Sequence, residues 1–520
     1  MTQLHRQGAD FFTSVARGSA AGVALNLFHY GTRFALTPLV LAAVGFEAYG
    51  YWALLFQFLG LVGLHRIGLP TAVVPLVARS WSAGDLGRLE RQVQTSAVVT
   101  GALAALVVAF GVALAPSLVA LLGVDEAGRA EAAWTLRVTA VVTGVALTLG
   151  GYQSVLEGLQ RYPTVRWIEG LACTVEAALI VLLLRLDVGL SGLAYAYGVR
   201  VLLPLPVFAW IARRAIPGLV ALPLRAEREL LRPILTFGGS LQLLGFLHLF
   251  VATVDRLVLA HGVSLFAAGT FELARKLIVL GTSLPLQACA PLTSAFAGRG
   301  PDAANPAPLA RTALRLLTIL SLPLLGLFFF APGALLGLWL GEAPGSAVTA
   351  LRLLAVGAYV HLATGPLTSL LRSQATGRLE LLYMLRWAIL ATLLVPAGCW
   401  AGGLPGAAAG SALSQAAGAL WLLSKARSFA GLNPRELAHD LARPLLCAVP
   451  AGIWVASTLP AEVGRMESLV ALGSRAPVFV AVTWSLVWFL ALRADERRAI
   501  VRLVRPRAAQ LRRALPFPTR

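Results

Sequence analysis

Apolar stretches long enough to cross a bilayer follow one another along almost the whole chain, and Arg and Lys recur at every second connection between them. About 20 apolar residues in a helix span the hydrocarbon core, and basic connections are retained on the cytoplasmic side. Read this way, the sequence predicts an all-α integral membrane protein of about 14 transmembrane helices. The basic connections hold Arg79, Arg88 and Arg91; Arg161 and Arg166; Arg213, Arg214, Arg225, Arg228 and Arg232; Arg299, Arg311 and Arg315; Arg372 and Arg378; and Lys425, Arg427, Arg435 and Arg443. The intervening connections fall at 44–48, 123–131, 186–190, 261–265, 341–346, 401–405 and 457–474. They carry only Arg129 and Arg465, with Arg185 and Arg475 at their edges. An even number of spans places both termini in the cytoplasm, where the nine arginines of 493–520 belong.

The chain also resembles itself at an offset of roughly two hundred residues. Leu39-Val40-Leu41-Ala42 leads to Gly45 and Gly50, and Leu257-Val258-Leu259-Ala260 leads to Gly262 and Gly269. Gly189-Leu190-Ser191-Gly192-Leu193-Ala194 is matched by Gly403-Leu404-Pro405-Gly406-Ala407-Ala408, each at the start of a span. Matched elements lie an even number of spans apart, so both copies enter the membrane in the same direction. The expected organisation is a pair of parallel six-helix repeats at 1–215 and 216–430, two additional helices at 431–493 and a basic cytoplasmic tail at 494–520. Transporters built from parallel repeats bind substrate between the halves and expose it alternately to either side.

Composition narrows the function. With 58% hydrophobic and 13% charged residues the chain is one membrane domain rather than a soluble one. The net charge of +19 would point to nucleic acid in a soluble protein, but here the cations form a cytoplasmic rim facing anionic lipid headgroups, and no nucleic-acid partner is expected. The polar start runs into a span too long for a signal-peptide core, so that span is its own insertion signal. The segment 496–515 reads as a basic amphipathic helix on the inner leaflet. Cys173, Cys289, Cys399 and Cys447 lie in apolar stretches without metal-site spacing and read as packing residues. The two lysines, Lys276 and Lys425, follow no glycine-rich phosphate loop, and no DxD, HExxH or GxSxG occurs, so neither enzyme activity, a cofactor nor a metal is expected.

Function should lie with charges inside the spans, because an Arg or Lys at bilayer depth costs at least about 2.5 to 3.5 kcal/mol unless it faces water or a partner. Arg137, Arg200, Arg352 and Arg386 stand within a few turns of predicted span ends, and snorkelling accounts for them. Arg33, Arg66, Arg275 and Lys276 are deeper, in corresponding spans of the two repeats, and are candidates for contacting a polyanion such as a diphosphate headgroup. Among the few acids, Asp255 adjoins Arg256, and Glu272 is placed to pair with Lys276 one turn on. Glu169 and Glu176 share a face of span five. They are either structural partners of Arg137 or Arg200, the preferred reading, or a site for a coupling proton or sodium ion.

The run Val44-Gly45-Phe46-Glu47-Ala48-Tyr49-Gly50 followed by Asp85-Leu86-Gly87-Arg88-Leu89 resembles the Wzx-type polysaccharide flippases. Thr253-Val254-Asp255-Arg256-Leu257-Val258-Leu259 and Phe271-Glu272-Leu273-Ala274-Arg275-Lys276-Leu277 are similar to that family's central segment, so the resemblance covers nearly the whole chain. It implies the multidrug/oligosaccharidyl-lipid/polysaccharide exporter superfamily and residence in a bacterial inner membrane. The implied activity is alternating-access transfer of a polyprenyl-diphosphate-linked oligosaccharide to the outer leaflet, alongside polysaccharide polymerase machinery. Arg275 matches the family's basic position in span eight, and Asp255 with Arg256 its acidic-basic pair, so the resemblance implies that these join Arg33, Arg66 and Lys276 as substrate-binding candidates. Many relatives carry an Arg just before the first outer turn, where this chain has Leu41-Ala42-Ala43, so Arg33 stands in a deeper position. Lipid II flippases of the same superfamily also use basic residues in spans one, two and eight, which makes lipid II flipping the nearest alternative. An ion-coupled multidrug exporter is the next.

Overall fold

The computed structural model describes residues 28–55, 69–121, 124–220, 226–287, 306–341, 344–373, 377–459 and 464–492, with positions 289, 292, 497 and 498. Its helices are α1 (Phe28–Leu55), α2 (Leu69–Ser82), α3 (Leu86–Ala113), α4 (Ala115–Leu121), α5 (Glu126–Leu149) and α6 (Gly151–Gly158). Next come α7 (Tyr162–Arg185), α8 (Gly189–Leu202), α9 (Pro204–Ala215), α10 (Arg228–Gly262) and α11 (Leu265–Gln287). They are followed by α12 (Ala307–Phe330), α13 (Pro332–Leu340), α14 (Gly345–Leu362), α15 (Thr364–Ser373), α16 (Gly377–Ala430), α17 (Pro434–Thr458) and α18 (Arg465–Leu486). Among the described residues there is no strand, and 11 helical stretches are long and apolar enough to cross a membrane. The architecture is therefore all-helical, as the hydropathy pattern requires, since a backbone in hydrocarbon must satisfy its polar groups internally.

Breaks between helices fall where the sequence places its turns. Gly45 (φ 79°), which interrupts α1, Gly189 (φ 66°), which opens α8, and Gly403 (φ 58°) adopt left-handed backbone that only glycine enters without strain. Gly402 and Gly403 interrupt α16, so this 54-residue element is two helices joined by a tight turn. On the opposite side, Asp85 Oδ1 accepts the Arg88 amide at 2.8 Å and caps α3, so the Asp85-Leu86-Gly87-Arg88 motif closes the connection from α2.

By contacts the chain divides into two compact units. The first comprises residues 1–276 and 380–414, the second 277–379 and 415–520. These units are drawn by packing and a repeat is a sequence relation, so one does not decide the other. In the first unit α3 and α8 pack on α5, and α7 on α8. Together α2, α3, α6, α7 and α9 enclose a core of Val73, Val77, Leu89, Val93, Tyr152, Leu156 and Phe208. Arg213 donates to the Tyr152 hydroxyl at 2.9 Å at its edge. In the second unit α12 packs on α14 and α17, while Gly326 admits the Phe479 ring of α18.

The glycines of the first repeat motif do more than form turns. Gly50 of α1 and Gly269 of α11 lie against each other: a Cβ on Gly269 would sit 3.2 Å from Gly50 Cα and 2.6 Å from the Phe46 carbonyl oxygen. Phe46 and Phe266 pack at a tilt beside this crossing with ring centroids 5.0 Å apart. Without a hydrophobic force between helices in lipid, such backbone approach is what van der Waals packing there depends on. Gly269→Val should therefore cost about 1 to 3 kcal/mol by overpacking. Thermal unfolding of the detergent-solubilised protein would show this as a lowered midpoint, and an unchanged midpoint would mean that the crossing is not tight.

Candidate functional site

Within the first unit, helices α1, α7, α8, α10, α11 and α16 bring most of the intramembrane charges into two adjoining clusters. The first is centred on Glu176 of α7. Its Oε1 accepts from Arg33 Nη2 of α1 at 2.7 Å, and its Oε2 lies 3.5 Å from Arg200 Nε of α8. One turn away on the same two helices, Cys173 Sγ and His29 Nδ1 are 3.6 Å apart, so α1 and α7 are joined by two polar rungs. The carboxylate is the buried member of the trio, with 5% of its side chain exposed against 22% for Arg33 and 20% for Arg200.

The second cluster follows from the hairpin between α10 and α11. Because the two helices run antiparallel from the turn at Val263, Asp255 and Arg256 face Arg275 and Glu272 across it. Asp255 Oδ2 accepts from Arg275 Nη1 at 2.9 Å and from Ser411 Oγ of α16 at 3.0 Å. Arg256 bonds Glu272 and the Ala252 carbonyl. Glu272, spaced to pair with Lys276 within the helix, is thus taken by Arg256 instead. Lys276 turns to α1, where its Nζ donates to Thr37 Oγ1 at 3.0 Å and lies 4.9 Å from the centroid of the Tyr49 ring. Thr37 gives its own proton to the Arg33 carbonyl at 2.6 Å, which leaves its oxygen free to accept from the ammonium.

Thr37 is one turn beyond Arg33, so the two clusters meet along α1, and Arg33, Arg256 and Glu272 all act electrostatically on Lys276. Among the described residues, five cations (Arg33, Arg200, Arg256, Arg275 and Lys276) meet three carboxylates (Glu176, Asp255 and Glu272), an excess of two positive charges inside a membrane helix bundle. Such an excess is stabilised by water, by dipoles such as the Thr37 hydroxyl, or by an anionic ligand. Among the described residues no group of three or more His, Cys, Asp or Glu is placed to hold a metal ion.

Two positions differ from the sequence reading. Arg200 does not snorkel: it is largely buried and directed at Glu176. Arg137 lies about 17 Å along α5 from its first residue, with Nε buried and no ion pair among the described residues, so it too stays at depth. Glu169 has partners different from those of Glu176. It bonds Arg166 at 2.7 Å and Gln153 at 3.3 Å, and Arg166 also lies 3.7 Å from Glu157. Arg66 lies outside the described residues. Thr37, Tyr49 and Ser411 were not expected, because a lone hydroxyl in an apolar run carries no sequence signal beyond its polarity.

The second unit holds charges of another kind. Arg311 of α12 bonds Glu436 and Asp440 of α17, and Arg315 reaches Asp440 at 3.6 Å and the Ala491 carbonyl at the end of the π-helical turn Val487–Ala491. Two cations meet two carboxylates, so this cluster is balanced and reads as a clasp holding the last helices.

A family model described as MatE matches residues 23–179. No curated protein matches the sequence. Among solved structures, the lipid II flippase MurJ in an inward closed conformation is similar at 13% identity with a TM-score of 0.69, over 90% of this chain and 99% of that one. An inward-facing multidrug resistance MATE family transporter of the MOP superfamily is similar at 17% identity with a TM-score of 0.61, over 78% and 94%. A MOP superfamily transporter from Pyrococcus furiosus Vc1, described as having a binding pocket of reversed polarity, is similar at 15% identity with a TM-score of 0.55, over 80% and 95%. The chain thus has the helical fold that these transporters share.

The clasp supplies a stability prediction. Asp440→Asn removes a buried carboxylate shared by Arg311 and Arg315 and should destabilise the protein by about 3 to 5 kcal/mol. Equilibrium unfolding in mixed micelles measures this, and a loss of under about 1 kcal/mol would place the pair in the class of weak surface bridges.

Proposed function

We propose that the chain is a flippase moving a polyprenyl-diphosphate-linked oligosaccharide from the cytoplasmic to the outer leaflet by alternating access. The observation that carries this reading is the cation excess around Arg33, Arg275 and Lys276 in the first unit. A diphosphate joined to a sugar is a compact polyanion, and guanidinium groups bind such oxygens in bidentate fashion while an ammonium adds a point charge. The lipid tail needs no protein pocket, because it stays in the bilayer while the head crosses. Glu169 and Glu176 enter this scheme as partners of arginines, and a coupling proton or sodium ion would have to displace an arginine to reach either.

Lipid II flipping is the second reading, favoured by the fold likeness to MurJ over nearly the full length of both chains. It requires the same anionic-head chemistry and differs in the sugar. Export of cationic drugs on this fold, which the MatE match over residues 23–179 favours, needs acids available to a cation. Glu176, Asp255 and Glu272 are each bonded to arginine, which weighs against it. Catalysis has no support in the arrangement, whose groups bind and position charge.

The test is the leaflet distribution of polyprenyl-diphosphate oligosaccharides in cells, scored with an impermeant probe of the outer face. Arg33→Ala, Arg275→Ala and Arg66→Ala should lower outer-face labelling at least about tenfold with the protein still in the membrane, and the Lys variants should keep part of it. Undiminished labelling in all three Ala variants would remove the cationic site from the mechanism.

A further inference from the structure

The two deep arginines proposed to meet substrate are each already occupied. Arg33 is bonded to Glu176, and Arg275 to Asp255. In both pairs the acid is the hidden member: Glu176 is 5% and Asp255 1% exposed, whereas Arg33 and Arg275 keep 22% and 17%. In each pair the arginine is thus the more exposed member and the carboxylate the more buried one. Each acid also has a second partner that does not depend on the first. Glu176 Oε2 faces Arg200 at 3.5 Å, and Asp255 Oδ2 accepts from Ser411 Oγ at 3.0 Å.

From this arrangement we infer that Glu176 and Asp255 are internal stand-ins for the anionic head of the substrate, which Arg33 and Arg275 exchange for phosphate oxygens on binding and return to on release. The inference rests on the flippase reading and adds what sets affinity and turnover at its site. A buried cation abandoned by its only acid, or an acid by its only cation, is strongly disfavoured. Here Arg200 and Ser411 remain to hold the acids while the arginines are engaged with the ligand. The reverse exchange then lets the head leave: without a resident competitor, two buried guanidiniums would hold a diphosphate and stall the cycle. A ligand shifts such an equilibrium only by its differential affinity for the two arrangements, so the strength of the internal pairs is a direct control on apparent affinity.

The experiment measures binding of farnesyl diphosphate to the full chain in nanodiscs, together with flipping of a fluorescent polyprenyl-diphosphate saccharide in vesicles. Glu176→Gln and Asp255→Asn should each bind farnesyl diphosphate roughly tenfold tighter than the native protein while flipping more slowly. Glu176→Asp keeps the charge balance that folding uses, lengthens the pair and should move both quantities the same way by a smaller factor. In an Arg33→Gln background, Glu176→Gln should leave binding unchanged, since the competition it relieves is gone. A structural role for the acids predicts equal or weaker binding in all these variants, and that result would overturn the inference. Failure of the flippase reading is distinguishable, because then the native protein itself would not bind farnesyl diphosphate in preference to farnesyl monophosphate.

Discussion

Glu176 is the point on which the first unit's interior electrostatics turn. One buried carboxylate joins α1, α7 and α8 by accepting from Arg33 and facing Arg200, and the geometry of α1 beyond it follows from where Arg33 is held. Fixing Arg33 fixes Thr37 a turn later, and Thr37 is the acceptor that receives Lys276 from α11. Beyond the break at Gly45, Gly50 and Gly269 bring α1 and α11 into backbone contact. A low-dielectric interior makes each of these contacts stronger than it would be in water and makes each missing partner more costly.

The two units treat their charges differently. Around Arg311 and Arg315 each cation has its carboxylate, and the last helices are tied down at Asp440 and at the Ala491 carbonyl. Around Arg33, Arg275 and Lys276 the acids are outnumbered. A balanced buried network needs nothing further to be stable, whereas an unbalanced one is poised for a ligand of opposite sign. The contrast within one chain separates a balanced cluster from an unbalanced one.

Much of the fold was legible because its signals are local. Glycines at 45, 189 and 403 mark turns that need left-handed backbone, Asp85 marks a helix start, and the span pattern follows from hydropathy. The deep cations were legible because charge in an apolar run is conspicuous. Their partners were not. Glu169 and Glu176 share a helical face, yet the roughly 10 Å between them along α7 is enough to give each its own arginine. Glu272 was spaced for Lys276, but the α10–α11 hairpin brought Arg256 closer. Arg200 resembled an interfacial residue by its distance from a span end, and only the proximity of α7 shows why it stays inside. Ser411 lies some 150 residues from Asp255 and no spacing rule connects them.

The central claim is that this chain alone carries an anionic lipid head across a bilayer. It is tested most directly by reconstituting the purified protein in vesicles with a fluorescent polyprenyl-diphosphate saccharide in both leaflets and adding an impermeant quencher outside. Protein-free vesicles lose about half of the signal, the share of lipid in the outer leaflet. The account predicts nearly complete quenching when the protein is present. Quenching that stays near half, with the protein folded and inserted, would contradict it.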